Sequence, residues 1–173
     1  MNFENPWVKN GLLYGAVSII FQLLVYYVLP SGMFIQMIFG LASLIYFYIM
    51  ACREQKEENG GTLSYGQAFK TTALTGIIGV VMSGLFTLIL IQLIDPSLVD
   101  KLIEMAMEST KSMMETFGAP EDAASEALDN VENEMADQFT PVGQLMNIVK
   151  GSIFVLIPAA IASIFLKKEE KIV

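Results

Sequence analysis

No Asp, Glu, Lys or Arg interrupts residues 10–52 of this chain, NGLLYGAVSIIFQLLVYYVLPSGMFIQMIFGLASLIYFYIMAC. This uncharged run is 43 residues long, whereas a helix crosses the hydrocarbon core of a bilayer with about 20 residues. The run therefore predicts two transmembrane helices. It divides at Leu29-Pro30-Ser31-Gly32, because proline ends a helix and glycine permits a tight turn. We expect the helices at about residues 8–29 and 33–52, inserted as an antiparallel pair.

A third transmembrane helix is predicted at about residues 65–94, since residues 71–94 are again uncharged. Ser64 and Gln67 mark its start, because they have the three-residue spacing of a capping box. In that motif the serine side chain accepts a hydrogen bond from the backbone of the third helical residue, whose own side chain reaches back. The helix should therefore begin at Tyr65.

The fourth predicted helix, at about residues 141–166, starts after Thr140, a favourable N-cap followed by a favourable first-turn proline. Asp95-Pro96, directly after the third helix, has the same pattern. We expect Asp95 to cap the next helix there, with the proline at its first position. Pro158 lies inside the fourth helix and should kink it, which a bilayer tolerates where neighbouring groups satisfy the freed carbonyl.

The overall composition is typical of a membrane protein. Of the 173 residues, 54% are hydrophobic and 16% are charged, against about 25% charged in soluble domains; the mean hydropathy is +0.54. A net charge of −8 argues against a nucleic-acid partner, and a single cysteine argues against a disulfide scaffold. We predict one all-α integral membrane domain, a bundle of four transmembrane helices in the lipid bilayer.

Residues 95–140 form an insert of a different kind, with 12 Asp and Glu, two Lys and a net charge of −10. The rest of the chain therefore carries −8 minus −10, or +2. Apolar residues recur in the insert at helical spacing, and Gly118 and Pro120 interrupt them. The insert predicts two amphipathic helices, about 96–117 and 120–139, forming an extramembrane hairpin between the third and fourth spans.

Three roles are open for this insert. Its helices could simply pack on each other or on the membrane surface as a solvated hairpin. They could dock a protein, since a methionine-rich stripe adapts to varied partners. Asp129, Glu132 and Asp137 could also bind a cation, although no Asp-x-Asp-x-Asp-Gly loop is present.

The distribution of cations predicts the orientation, because short loops rich in Lys and Arg stay cytoplasmic. With four spans, both termini and the middle loop share one side. The cations expected on that side are Lys9, Arg53, Lys56, Lys70, Lys167, Lys168 and Lys171. The other side has only Lys101 and Lys111, or three with Lys150. Both termini should be cytoplasmic, with Trp7, Tyr46, Tyr48 and Tyr65 at the inner interface and Tyr26 and Tyr27 at the outer one.

Small residues at three- and four-residue spacing line one face of several spans, where they let helix backbones approach closely. The candidate helix-packing residues are Gly11, Gly15, Ser18, Gly76, Gly79, Ser83, Gly143 and Gly151. The alternative for these faces is a substrate path lined by Gln22, Ser83, Thr87 and Asn147. A proton or ion path normally contains a buried acid, base or charged pair, and no Asp or Glu lies within a predicted span.

Lys150 is a charge well inside a predicted span, whereas Lys9 and Lys70 lie in the first two turns of theirs. We expect Lys150 to extend to the outer head groups, or to pair with Asp95 or Asp137. Alternatively, Lys150 contacts the anionic head group of a bound lipid. Catalytic residues are not expected: the chain has no histidine, the commonest general base, and nothing to activate Cys52. We therefore predict neither an enzyme nor a cofactor or metal site.

Two short motifs carry a resemblance to a known family. They are Leu63-Ser64-Tyr65-Gly66-Gln67-Ala68-Phe69-Lys70, which leads into the glycine-rich third helix, and Asp95-Pro96 after it. With the order of helices and acidic insert, the chain resembles the small membrane proteins of Bacteroidota known as domain of unknown function 4199. The resemblance implies a four-span, multi-pass protein of the bacterial inner membrane. It brings no activity, but it makes an accessory role beside polyprenol-phosphate glycosyltransferases conceivable.

Together these features favour a non-enzymatic scaffold or accessory subunit, whose acidic insert contacts a membrane-protein partner or a second copy of the chain. The alternative is a small transporter or lipid-handling protein with Lys150 as its head-group contact. Four spans are few for a transporter monomer, and no inverted repeat relates the two halves.

Overall fold

The computed structural model describes residues 5–28 and 33–168. The predicted turn Leu29-Pro30-Ser31-Gly32 lies outside these residues, as does Lys171. The described chain is helical and has no strand beyond an isolated bridge between Leu63 and Lys168. The predicted all-α class is therefore confirmed.

Seven α-helices follow one another along the described chain. They are α1 Pro6–Tyr27, α2 Met33–Glu58, α3 Tyr65–Ile89, α4 Leu98–Thr116, α5 Glu121–Gln138, α6 Pro141–Phe154 and α7 Leu156–Leu166. A π-helical turn, Leu90–Ile94, continues α3. Four segments are long and apolar enough to cross a membrane: Pro6–Tyr27, Phe34–Glu58, Tyr65–Ile94 and Pro141–Leu166. The prediction of four membrane-spanning helices is confirmed in this sense, with α6 and α7 together making the fourth.

Helix α3 is central, because α1, α2, α6 and α7 all pack against it. The main core joins Tyr14 of α1 and Tyr48 of α2 to Ala73 of α3 and Val155 beside α7. Many large apolar side chains point away from this core; Phe34 is 67% exposed and Phe165 is 80% exposed. A surface this apolar is the surface that a bilayer would cover.

One end of the bundle, the loop end, is defined by contacts between segments far apart in the chain. Lys9 Nζ near the start of α1 lies 2.9 Å from Glu54 Oε1 near the end of α2. Leu63 exchanges backbone hydrogen bonds of 2.8 and 2.7 Å with Lys168, just after α7. The start of α1, the loop after α2 and the end of α7 therefore lie together. The opposite end, where α3 leads into α4, is called the hairpin end below.

The predicted helix starts have mixed outcomes. The Ser64 and Gln67 capping box is present, and the Thr140 side chain accepts a 3.0 Å hydrogen bond from Gly143 N. The prediction that Asp95 caps the next helix is wrong, because α4 begins at Leu98. The Asp95 carboxylate instead accepts hydrogen bonds from Tyr27 Oη (2.7 Å) and Ser97 Oγ (2.6 Å).

Two further differences from the predictions concern the end of α2 and the position of Tyr48. Helix α2 continues six residues past Cys52, because its charged residues 53–58 still support helical hydrogen bonds outside the apolar run. The interfacial position predicted for Tyr48 is wrong, since its side chain is fully buried. Its hydroxyl donates a 2.9 Å hydrogen bond to the Val155 carbonyl. Val155 lies between the end of α6 and the start of α7. Pro158, three residues further along the chain, accounts for this break, because proline interrupts helical hydrogen bonding.

The acidic hairpin, defined as α4, α5 and the residues between them, matches the two predicted insert helices closely. Gly118 has φ +64° and ends α4 in the left-handed conformation that glycine favours. Leu98 and Leu102 of α4 pack on Leu90 and Ile91 at the end of α3. At the other end of the same helix, Phe117 is 80% exposed. The apolar stripe is thus buried at the base of the hairpin and exposed at its tip.

Candidate functional site

The small residues of α1 and α3 lie where these two helices meet. A Cβ atom added to Gly11 would lie 2.8 Å from Ile78 Cβ, and one added to Gly15 would lie 2.8 Å from Met82 Sδ. A Cβ on Gly79 would overlap the ring of Tyr14. These distances are shorter than van der Waals contact, so the close approach of the two helices depends on glycine.

The other candidate packing residues have more varied surroundings. Gly76 faces the hydroxyl of Tyr48, and a Cβ on Gly151 would lie 3.1 Å from Val80 Cγ1. Gly143 faces the backbone of Asp137 and Gln138 rather than another membrane helix. Ser18 and Ser83 border a cavity between the helices instead of filling a packed interface.

This cavity, called the polar cavity below, has a volume of about 380 Å³, within the range of small-molecule sites. It lies between α1 and α6 over the face of α3, with Gln36 of α2 and the end of α5 at its edge. Its polar lining residues are Ser18, Gln22, Tyr26, Gln36, Ser83, Thr87, Gln138, Gln144 and Asn147. The apolar lining includes Phe21 and Phe139.

The structure brings together all four residues of the predicted substrate path, Gln22, Ser83, Thr87 and Asn147, in the wall of this cavity. Gln22 Nε2 donates to Thr87 Oγ1 at 2.8 Å and to Tyr26 Oη at 2.8 Å. Ser83 Oγ donates to the Gly79 carbonyl at 2.9 Å. Asn147 is exposed and makes no side-chain hydrogen bond within the described part of the chain.

Gln144 is the most buried of the polar cavity residues that the sequence did not predict. It is only 5% exposed, and its Nε2 donates a 3.1 Å hydrogen bond to the Phe139 carbonyl. Its Oε1 is buried and has no hydrogen-bond partner among the described residues. The only available signal was an amide three residues before Asn147, which places both on one side of α6.

The chemistry of the polar cavity is that of amides, hydroxyls and aromatic rings. None of its lining residues is Asp, Glu, Lys or Arg. Such a wall can exchange hydrogen bonds with an uncharged polar group. It offers no counter-charge to a buried ion, which would need one.

Lys150 is not among the residues that line the cavity. Its side chain is exposed on α6, and within the described residues it forms no hydrogen bond or ion pair with Asp95, Asp137 or any other group. In this structure Lys150 is therefore paired with neither of these two acids. Asp95 accepts hydrogen bonds from Tyr27 and Ser97. Lys150 lies two to three turns into α6.

The junction at the hairpin end is held by polar contacts. Hydrogen bonds from Ser97 and then from Tyr27 lower the pKa of Asp95 below its ordinary value. Lys101 Nζ donates to the carbonyl of Tyr26 and lies 5.9 Å from the centre of the Tyr27 ring. The start of α4 is thus attached to the end of α1 by two independent contacts.

The acidic hairpin presents carboxylates on its exposed faces. Asp129, Glu132 and Asp137, proposed above as cation ligands, are all exposed. Within residues 5–28 and 33–168, no three Asp, Glu or Cys side chains are grouped so as to hold a metal ion. Cys52 is buried against Leu63 and Ala68 at the loop end.

Comparison with known proteins gives one match. The family described as "Protein of unknown function (DUF4199)" matches residues 9–168. No curated protein and no solved structure matches the chain. The match covers the acidic hairpin and, apart from residues 6–8, all four spans.

Proposed function

The chain belongs to the DUF4199 family, and we propose that it is a non-enzymatic accessory subunit of a bacterial inner-membrane assembly. In this proposal both termini are cytoplasmic, and the acidic hairpin lies outside the cytoplasmic membrane. The hairpin docks a protein that presents Lys and Arg side chains close to the membrane surface.

The separation of charge is the observation that carries this proposal. The insert carries −10 and the remainder of the chain +2. A field of one sign attracts a partner of the opposite sign and orients it on approach. Anionic lipid head groups would be repelled, so a basic protein surface is the better occupant.

The tip of the hairpin offers apolar contacts within this acidic surface. Met113 is 40% exposed and Phe117 is 80% exposed. An aromatic side chain at the centre of a charged rim is the usual arrangement of a protein-binding hot spot. The carboxylates would set partner choice and association rate, while Phe117 would slow dissociation.

Photo-crosslinking in native membranes tests the docking role. A photoreactive residue at the exposed position Ser125 should capture one protein with a basic extramembrane face. Capture should fall several-fold in a Glu126→Gln and Glu134→Gln double variant, and in Phe117→Ser. The matched control, Glu57→Gln and Glu58→Gln, neutralises two acids at the loop end and should leave capture unchanged. Undiminished capture in both the carboxylate double variant and Phe117→Ser would refute the proposal.

Lipid handling is a second candidate function, favoured by the polar cavity between α1 and α6. In this candidate function Lys150 binds the anionic head group of a lipid. Its exposed, unpaired ammonium within the described chain supports that contact. An anionic lipid that copurifies with the protein, and is lost in Lys150→Ala, is the expected result.

A further inference from the structure

The polar cavity contains hydrogen-bonding capacity that the described protein does not use. Gln144 Oε1 is a buried acceptor without a partner. The amide of this residue is correctly oriented, because its Nε2 already donates to the Phe139 carbonyl at 3.1 Å. Gln138 and Asn147, also in the wall, have exposed side chains with no hydrogen bond in the described chain. A ligand that both donates and accepts hydrogen bonds would satisfy all three amides.

The missing charge restricts the class of ligand. No acidic or basic side chain lines the cavity, so a phosphate or an ammonium group would enter without a counter-ion. Hydroxyl groups suit the wall better, because each can donate to an amide oxygen and accept from an amide N–H. The rings of Phe21 and Phe139 provide apolar surface for the carbon atoms of such a group.

The position of the cavity indicates how the ligand enters. Gln138, at the end of α5, is on the hairpin side of the rim. Asn147 is exposed on α6, six residues after Pro141, or about 9 Å along the helix at 1.5 Å per residue. The wall thus extends from the helix end into the depth that hydrocarbon would occupy. A molecule with a polar head and an apolar chain fits both parts.

We infer that the polar cavity binds the uncharged, hydroxyl-bearing head of a lipid, with Gln144 as the buried acceptor and Asn147 at the mouth. This inference rests on the lipid-handling candidate, but it replaces an anionic contact at Lys150 with a neutral one inside the bundle. A free polyol carries the same hydroxyl groups, so binding of the lipid and binding of the free polyol have to be compared.

Native mass spectrometry of the full-length protein in lipid nanodiscs tests the inference. The probes are a monoacylglycerol, which has a neutral glycerol head, phosphatidylglycerol, which carries a glycerol and an anionic phosphate, and free glycerol. The monoacylglycerol should bind one per chain and should not be displaced by free glycerol. Its affinity should fall about tenfold in Gln144→Met, the effect of losing one buried hydrogen bond.

Gln92→Met is the matched control. Gln92 Nε2 also donates to the Phe139 carbonyl, at 2.7 Å, but Gln92 does not line the cavity. This variant loses a hydrogen bond to the same carbonyl and should bind monoacylglycerol normally. Asn147→Leu is a second test, since its exposed side chain supports no contact needed for folding; it should weaken binding without lowering thermal stability.

The possible outcomes separate this inference from its premise. Binding of phosphatidylglycerol that depends on Lys150, with no binding of monoacylglycerol, would overturn the neutral site and leave lipid handling intact. An equal loss of monoacylglycerol binding in Gln92→Met and Gln144→Met would assign the weaker binding to the Phe139 carbonyl and overturn the role of Gln144. Displacement by free glycerol would overturn the lipid as the source. Binding of no probe would overturn both proposals.

Discussion

The hydroxyl of Tyr27 at the end of α1 donates a 2.7 Å hydrogen bond to the carboxylate of Asp95, 68 positions later in the chain. This contact joins the first membrane helix to a residue three positions before the acidic hairpin. Ser97 donates to the other carboxylate oxygen at 2.6 Å. Asp95 is therefore a tether between helices, in place of the helix cap that its local sequence suggested.

Removing the Tyr27 hydroxyl should raise the pKa of Asp95. Hydrogen bonds from Ser97 and Tyr27 favour the ionised carboxylate and lower its pKa in the folded protein. In Tyr27→Phe the pKa should move back toward the ordinary value while remaining below it, because Ser97 still donates. Selective isotope labelling of aspartate and a pH titration by NMR would measure the change.

The same contact has a defined pH dependence. The folded-state pKa of Asp95 is depressed. The stabilisation that Asp95 gains from the Tyr27 hydroxyl is therefore present above the unfolded-state pKa of Asp95. It is lost as the pH falls through the folded-state pKa. Acidification below pH 4 should therefore reduce the thermal stability difference between the natural protein and Tyr27→Phe. A difference that grows on acidification would contradict this assignment.

Packing of α1 on α3 should be sensitive to single methyl groups. In Gly79→Ala the new Cβ would overlap the Tyr14 ring, and overpacking of this kind costs about 1–3 kcal/mol. Gly40→Ala is the control, because an added Cβ there meets nothing within 4 Å. Thermal unfolding in detergent should show a lower Tm for the first variant alone. Tyr14→Leu should partly rescue it, and a failure to rescue would place the strain elsewhere.

The hydroxyl of Tyr48 should stabilise the break between α6 and α7. It donates a 2.9 Å hydrogen bond to the Val155 carbonyl and is fully buried. Tyr48→Phe should lower stability by about 1 kcal/mol, the net value of one such bond. Tyr46→Phe is the control, since Tyr46 is 57% exposed. Equal effects of the two variants on unfolding would show that the bond to Val155 contributes nothing specific.

Local patterns predicted the helices well, because each depends on residues close together in the chain. The Ser64 and Gln67 cap needs only four consecutive residues, and the two uncharged runs are long enough to identify three of the four spans. Asp95 was misassigned because Tyr27, distant in sequence, competes for its carboxylate. Tyr48 was placed at an interface because an isolated tyrosine pattern contains no information about the bundle core.

The polar cavity was predictable only in part. Gln22, Ser83, Thr87 and Asn147 could be selected as polar residues on helix faces. Gln144 could not, because its unpartnered oxygen follows from the position of the Phe139 carbonyl, which binds its Nε2. A hydrogen-bond deficit exists only once the helices are arranged in three dimensions.

Cysteine labelling in intact cells would test the orientation of the chain. Cys52 is 2% exposed, so its lack of reaction would reflect burial as much as sidedness, and it should be replaced by alanine. In that background, Ser125→Cys in the acidic hairpin should react with a membrane-impermeant maleimide, and Glu58→Cys at the loop end should react only after lysis. Both positions are exposed, so accessibility within the protein is matched. Labelling of Glu58→Cys alone in intact cells would place the acidic hairpin in the cytoplasm and reverse the proposed orientation.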